Sequence, residues 1–264
     1  MIRDNARILW RAAALAVADS RAIHTWKTWT FAWLSRLFAQ VAFFALIGRL
    51  LNSRQATQYL FVGNSVYIVT MLSMFACVSA AWERYAGTLP LLISAPASPL
   101  VVFAGRGLNW LADGTVCASI ALFALGPLFD VPMPWPQALF VVPLVMVTGA
   151  SSYCLALAAA GLVLRNVELR NLVTNLVYFG LMLLCGVQVP TSFLPFGLRI
   201  LSTVLPLTHG LAAIRALLAR DDTSTVLAQA GLEVVVGIAW LAVAAVAMRH
   251  FVRASRRNGS VEFG

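Results

Sequence analysis

Charge is scarce in this sequence. Only 11% of its 264 residues are Asp, Glu, Lys or Arg, against 61% that are hydrophobic. A soluble domain carries about a quarter charged residues, and with fewer it has too little polar surface to stay in water. The chain therefore reads as an integral membrane protein. Lysine is nearly missing, with Lys27 the one lysine among 19 basic residues. The net charge of +9 still does not point to nucleic acid, because the basic residues lie scattered between apolar spans. A cytoplasmic membrane face accounts for that arrangement. Cysteine is sparse as well. Cys77, Cys117, Cys154 and Cys185 sit in apolar runs without C-x-x-C spacing, so they read as small buried hydrophobes, with no disulfide framework and no metal site. His24, His209 and His250 are scattered and no H-E-x-x-H accompanies them, which removes the basis for a membrane metalloprotease. A G-x-x-x-x-G-K-[ST] phosphate loop is absent too.

What is abundant is apolar length. A span needs about 20 apolar residues, and six candidates appear, at 30–51, 58–81, 101–127, 137–164, 172–189 and 226–248. No soluble domain, internal repeat or low-complexity segment interrupts them. The fold class is therefore all-α, a polytopic membrane protein with six transmembrane helices in a single domain over 1–264. With both termini inside, fourteen basic residues fall on the cytoplasmic side and five, Arg49, Arg54, Arg199, Arg215 and Arg220, on the outer side. That asymmetry fits the positive-inside rule and an even number of spans. On the fourth span Gly149, Ser152, Ala156 and Ala160 give a face where helices approach closely, within one protomer or between two.

Residues 1–25 faintly mimic a secretory leader, but the apolar core of "AAALAVAD" is short and mostly Ala. A helical reading is stronger. Ile2, Ala6, Leu9, Ala13 and Ala16 step by four and three on one face, while Arg3, Arg7 and Arg11 lie on another. This is the pattern of an amphipathic interfacial helix, basic side toward lipid headgroups.

Two connections are more than turns. In "VQVPTSFLPFGLRILSTVLPLTHGLAAIRALLARDD", residues 187–222, Pro190, Pro195 and Pro206 cut a membrane-compatible run into pieces too short to span. Two short helices, about 192–204 and 207–219, would make an outer re-entrant hairpin over 190–220. Irregular backbone at that depth must be buried in protein or line a water-filled space. The other connection is "WERYAGTLPLLISAPASPL", residues 82–100. Glu83 and Arg84 stand where the second span leaves the bilayer. Gly87 permits a bend, Thr88 caps a turn, and Pro90 is tolerated inside that first turn. Leu89, Leu92 and Ile93 share one side of a short helix that Pro96 and Pro99 end. Such an element presses its apolar side against something at the cytoplasmic surface, either a partner or the protein's own spans.

With those two stretches the sequence resembles the ABC-2 family of exporter permeases. The family's E-R-x-x-G-T-L-x-x-L-x-x-x-P pattern is matched by Glu83, Arg84, Gly87, Thr88, Leu89, Leu92 and Pro96. Its second pattern, a P-L pair followed by an Arg before the last span, is matched by Pro206, Leu207 and Arg215, with His209 between them. Pro90 stands where the family often has a charged or polar residue. The drug-export and nodulation-factor permeases look closest, with capsule and O-antigen permeases next. The resemblance implies that 82–99 is a cytoplasmic coupling helix region seated in a separate ABC ATP-binding subunit, present in two copies. It also implies a homodimer of this chain in membrane lipid, and ATP and Mg bound by the partner, with no cofactor in this chain.

Inside the spans, Asp113 and Glu233 each cost about 2.5–3.5 kcal/mol to insert, so both are possible intramembrane polar sites. Asp113 is expected near Arg106, two turns away. Glu233 is expected to meet Arg215 or Arg220 near the outer surface. Trp26, Trp29 and Trp33 read as an interfacial belt beside Lys27. Phe43, Phe44, Tyr59, Phe61, Tyr67 and Phe75 are candidates for a path or for lipid contact. The expected function is the permease of an ATP-driven exporter in a bacterial inner membrane, moving an amphipathic or hydrophobic substrate. A glycolipid exporter and a non-transporting scaffold that recruits a cytoplasmic partner are the alternatives.

Overall fold

The computed structural model describes residues 2–23, 25–79, 87, 98–164 and 167–258, and among them every regular element is helical. Helix α1 runs Ile2–Ile23, and a π-helical stretch, Thr28–Leu34, leads directly into α2, Ser35–Leu50. Then come α3 Arg54–Ser73, α4 Pro99–Leu125, α5 Val141–Val163, α6 Arg170–Leu184, α7 Phe196–Val204, α8 Thr208–Ala219 and α9 Thr223–Asn258. Helix is what a chain this apolar must form, because hydrocarbon offers its amides and carbonyls no other partner. Local signals set the starts. Ser53 caps α3 by accepting the Ala56 N–H at 3.1 Å, and Pro99 opens α4 where its missing N–H costs nothing.

Five helical runs are long and apolar enough to cross a membrane: Thr28–Leu50, Arg54–Ser79, Pro99–Phe129, Gln137–Val163 and Thr223–Arg253. They correspond to five of the six expected spans. The remaining one, expected at 172–189, is α6, with 15 residues. At 1.5 Å per residue that is about 22 Å, short of the roughly 30 Å of a hydrocarbon core. Gly186, at φ +77, stops it early.

Close contacts fix the direction of each helix. Trp33 meets Phe75 and Gly48 presses on Thr57, so α2 runs against α3. Gly107 and Gly114 of α4 pass Ala76 and Val69, so α4 also runs against α3. It runs against α5 too, since Gly107 meets Tyr153 while Leu111 meets Gly149. The Tyr67 hydroxyl donates to the Tyr178 carbonyl at 2.9 Å and the Tyr59 hydroxyl to Gly186 at 2.7 Å, which sets α6 against α3. Gly237 lies on Ser151 and Ala247 on Gly161, so α9 runs with α5. Thus α2, α4 and α6 point one way, and α3, α5 and α9 the other. The short α6 therefore carries the chain in the direction of a crossing. Residues 187–222 must leave and return at the same end of the bundle. Helices α7 and α8, bent by 86°, are re-entrant and not a further crossing.

Helix α3 lies innermost. It is buried on every side, with Phe61, Val66, Ile68, Val69 and Leu72 fully buried together with the polar Asn64, Ser65, Thr70 and Ser73. The small face of α5 is used within the chain: Gly149 lies on Val69 and Leu111, Ser152 bonds Thr70 at 3.0 Å, and Ala156 and Ala160 are buried. Helices α6 and α9 turn Leu172, Leu176, Phe179, Val235 and Ile238 outward, a surface that only lipid or protein can cover. Helix α1 packs on the start of α4. Ala12, Ala13 and the Leu9 carbonyl meet Gly105, Ala16 is buried, and Asp19 pairs with Arg106 at 3.1 Å. Arg7 and Arg11 face outward, and so does Ala6, which the sequence pattern had put on the apolar face.

Candidate functional site

The re-entrant pair is assembled from its prolines. Pro190 precedes a single 3-10 turn, Thr191–Phe193, and Pro195 precedes α7. The expected first helix, 192–204, is therefore split, because proline cannot supply the N–H that would join the pieces. Pro206 makes the main break. It holds Leu205 extended at ψ 139, and Leu207 follows at φ +84, a conformation costly for a leucine. Leu207 is the N-cap of α8 and has no side chain that can cap it.

The missing cap comes from α9. Glu233, fully buried, accepts the Leu207 N–H at 2.8 Å and the Gly210 N–H at 2.9 Å. The first amides of a helix have no partner within it, and they carry a partial positive charge. Together they form a ready anion site. The expected pairing of Glu233 with Arg215 or Arg220 is thus corrected: the carboxylate is spent on backbone amides. Gly210 itself lies so close to Thr148 of α5 that an added Cβ would strike the Thr148 side chain.

Arg215 holds α8 one to two turns further along. Its guanidinium donates to the Gly186 carbonyl at 2.9 Å and the Tyr59 carbonyl at 3.1 Å, and stacks 3.5 Å above the Tyr59 ring. A planar fork that bonds two carbonyls and lies on an aromatic face suits arginine and not lysine. The turn at Gly186–Val187 is also pinned against Gly63. His209 bridges the pair to α9, with Nδ1 2.9 Å from Gln229 Oε1 and Nε2 3.1 Å from the Thr203 carbonyl. The Trp240 indole donates to the Val204 carbonyl at 2.9 Å.

Pro206, Leu207, His209, Arg215 and Glu233 therefore come together at one end of the bundle. Pro190 and Pro195 shape the approach to it. Sequence reasoning missed Gln229, Trp240, Tyr59, Gly186 and Thr148 as partners. A signal was available on α9, where Gln229, Glu233, Gly237 and Trp240 form a polar and small stripe at steps of four, four and three.

Asp113 makes a second polar point in the bundle. Its Oδ1 accepts the Trp29 indole N–H at 2.7 Å and its Oδ2 the Trp33 indole N–H at 3.3 Å. Arg106, expected near Asp113 and two turns away on the same helix, pairs with Asp19 of α1. The aromatic belt is corrected in part. Trp26 is exposed, but the π-helical stretch turns Trp29 and Trp33, four residues apart, inward onto α4. Trp33, Phe75 and Trp110 then pack as a cluster, with Phe75 and Trp110 stacked at 4.9 Å. The six aromatics expected along a path share no single surface: Phe43 is exposed, whereas Phe61 is buried against Phe129. Of the coupling stretch, Glu83, Arg84, Thr88, Leu89, Leu92, Ile93 and Pro96 lie outside the described residues. Gly87 takes φ +68, a conformation that favours glycine.

Residues 13–219 match the family model of the ABC-2 type transporter, a stretch that includes the re-entrant pair as far as the end of α8. No curated protein and no solved structure matches the chain.

Proposed function

The chain belongs to the ABC-2 type transporter family, and from that premise we propose that it is the permease of an exporter that moves an amphipathic or hydrophobic substrate. Family membership makes it a multi-pass membrane permease of an ABC transporter, with ATP hydrolysed in a separate subunit. The absence of any G-x-x-x-x-G-K-[ST] in the sequence agrees. In this reading two copies of the chain enclose the path and two ATP-binding subunits, holding ATP and Mg, lie beneath them. Both termini face the cytoplasm of a bacterial inner membrane, which the fourteen-to-five distribution of basic residues supports.

The motor grips residues 82–96. Leu89, Leu92 and Ile93 offer a small apolar face, and Glu83 with Arg84 at its root passes motion into the second span. At the other end, the re-entrant pair closes the path toward the outside. The observation that carries the reading is the family match over 13–219, which contains both the gripped stretch and the re-entrant pair. Its test is transport itself. In inside-out proteoliposomes holding the chain and its ATP-binding subunit, an amphipathic fluorescent dye should accumulate when ATP is added. Accumulation that is equal with and without ATP, across a panel of amphipathic dyes and glycolipids, excludes an exporter and leaves the scaffold.

A further inference from the structure

The contacts between the re-entrant pair and α9 share one geometry. Gln229, Glu233 and Trp240 occupy a single face of α9. Each of them bonds the break between α7 and α8 or the first turn after it, and none bonds the body of either helix. Trp240 takes the last carbonyl of α7 at Val204, Glu233 takes the amides of Leu207 and Gly210, and Gln229 takes the ring of His209. The break is the weakest point of the pair. It holds a proline, a leucine at φ +84 and a helix start without a cap of its own. Strain of this kind persists only where its surroundings over-determine it.

We propose that Gln229, Glu233 and Trp240 form a latch that fastens the break of the re-entrant pair to α9, with Glu233 as its positioning residue. Helices α7 and α8 then keep their 86° bend only while Glu233 holds the start of α8, and the break follows α9 whenever α9 moves. A carboxylate at 0% exposure suits the task. It is expensive to bury without partners, and the helix start supplies two in a place that nothing else on α8 can satisfy. The latch stands on contacts within this chain alone. Its consequence, that the outer closure of the path cannot open without displacing the last span, rests on the permease reading.

Hydrogen–deuterium exchange on the full chain in nanodiscs tests the latch without any partner subunit, so its failure is separate from failure of the transport reading. In the unaltered chain the amides of Leu207 and Gly210 should be protected although no carbonyl within α8 can bond them. Glu233→Ala should speed exchange across 207–210 by tenfold or more, with α5 and the lower half of α9 unchanged. Glu233→Gln keeps one acceptor oxygen but turns an NH2 toward the second amide, and should give an intermediate, equally local rise. That partial rescue by a same-shaped side chain is what a mere packing role would not produce. Exchange at 207–210 within twofold of the unaltered chain in Glu233→Ala overturns the latch. So does a rise spread evenly over α5 and α9 in Glu233→Gln. If Glu233→Ala does not fold, Glu233→Gln decides alone, and unchanged protection at 207–210 counts against the proposal.

Discussion

Single residues in this protein matter most where polar chemistry meets a helix end. Gly210 illustrates a position that no sequence pattern marks. An added Cβ would strike the Thr148 side chain, so Gly210→Ala should push α8 away from α5 and cost about 1–3 kcal/mol. Thermal unfolding in detergent reads this loss, and Thr148→Ala in the same chain should recover part of it, a coupling that only contacting residues show. The tryptophans offer a second contrast. Trp26→Phe should leave stability nearly unchanged, because that ring is exposed. Trp29→Phe removes the 2.7 Å donor to Asp113 and should cost about 1–3 kcal/mol. Asp113→Leu, which strands two indole N–H groups, should destabilise more than Asp113→Asn, which keeps one acceptor. Equal effects at Trp26 and Trp29 would restore the plain interfacial belt. That Asp113 and Glu233 were worth attention was legible from the cost of a charge inside a span. Their partners were not, because those partners are indoles and backbone amides more than twenty residues away in sequence, and neither leaves a motif.

Whole elements were more legible than their contacts. Apolar runs bounded by Arg, Pro and Gly gave five crossing helices within a few residues, since length and hydropathy are local properties. The re-entrant pair was legible for a related reason: Pro206 forbids helix where it stands, whatever the rest of the chain does. Its first piece was drawn four residues too early, as Pro195 and not Pro190 opens α7. The short α6 shows the limit. Residues 172–189 read as one span because they are apolar, yet Gly186 ends the helix, and only the register of Tyr59, Tyr67 and Tyr178 gives the chain's direction there. Alternating directions of α2 to α6 and α9 put residues 223 and 258 at opposite ends of the bundle, while the basic residues argue which end is inside. In cells, a cysteine at Thr223 should react with an impermeant thiol reagent added outside, and one at Asn258 only after permeabilisation. Labelling of both from outside would contradict α9 as a crossing. The reverse pattern would keep the bundle and invert its orientation.

On the scale of the molecule, the two ends of the bundle are built differently. At one end Glu233, Arg215 and Tyr59 hold the bent pair of α7 and α8 against α9 and α3. The other end carries α1, packed on the start of α4, and the connection through residues 82–96. In the permease reading, force enters at 82–96 and is felt at the re-entrant pair, with α3 between them as the innermost helix of the protomer. In that reading a separate motor grips Leu89, Leu92 and Ile93. Burying one such side chain is worth about 1.5–3 kcal/mol, and a carboxylate in its place adds a desolvation cost. Since each 1.4 kcal/mol is about tenfold in affinity, the most direct measurement is the affinity of the ATP-binding subunit for the chain in nanodiscs. Leu92→Asp should weaken it by about a hundredfold or more. Glu83→Ala should leave it nearly unchanged while lowering the ATP hydrolysis that substrate stimulates. Binding of Leu92→Asp at the unaltered affinity, with normal stimulated hydrolysis, would contradict the claim and reduce residues 82–96 to an elbow between two spans.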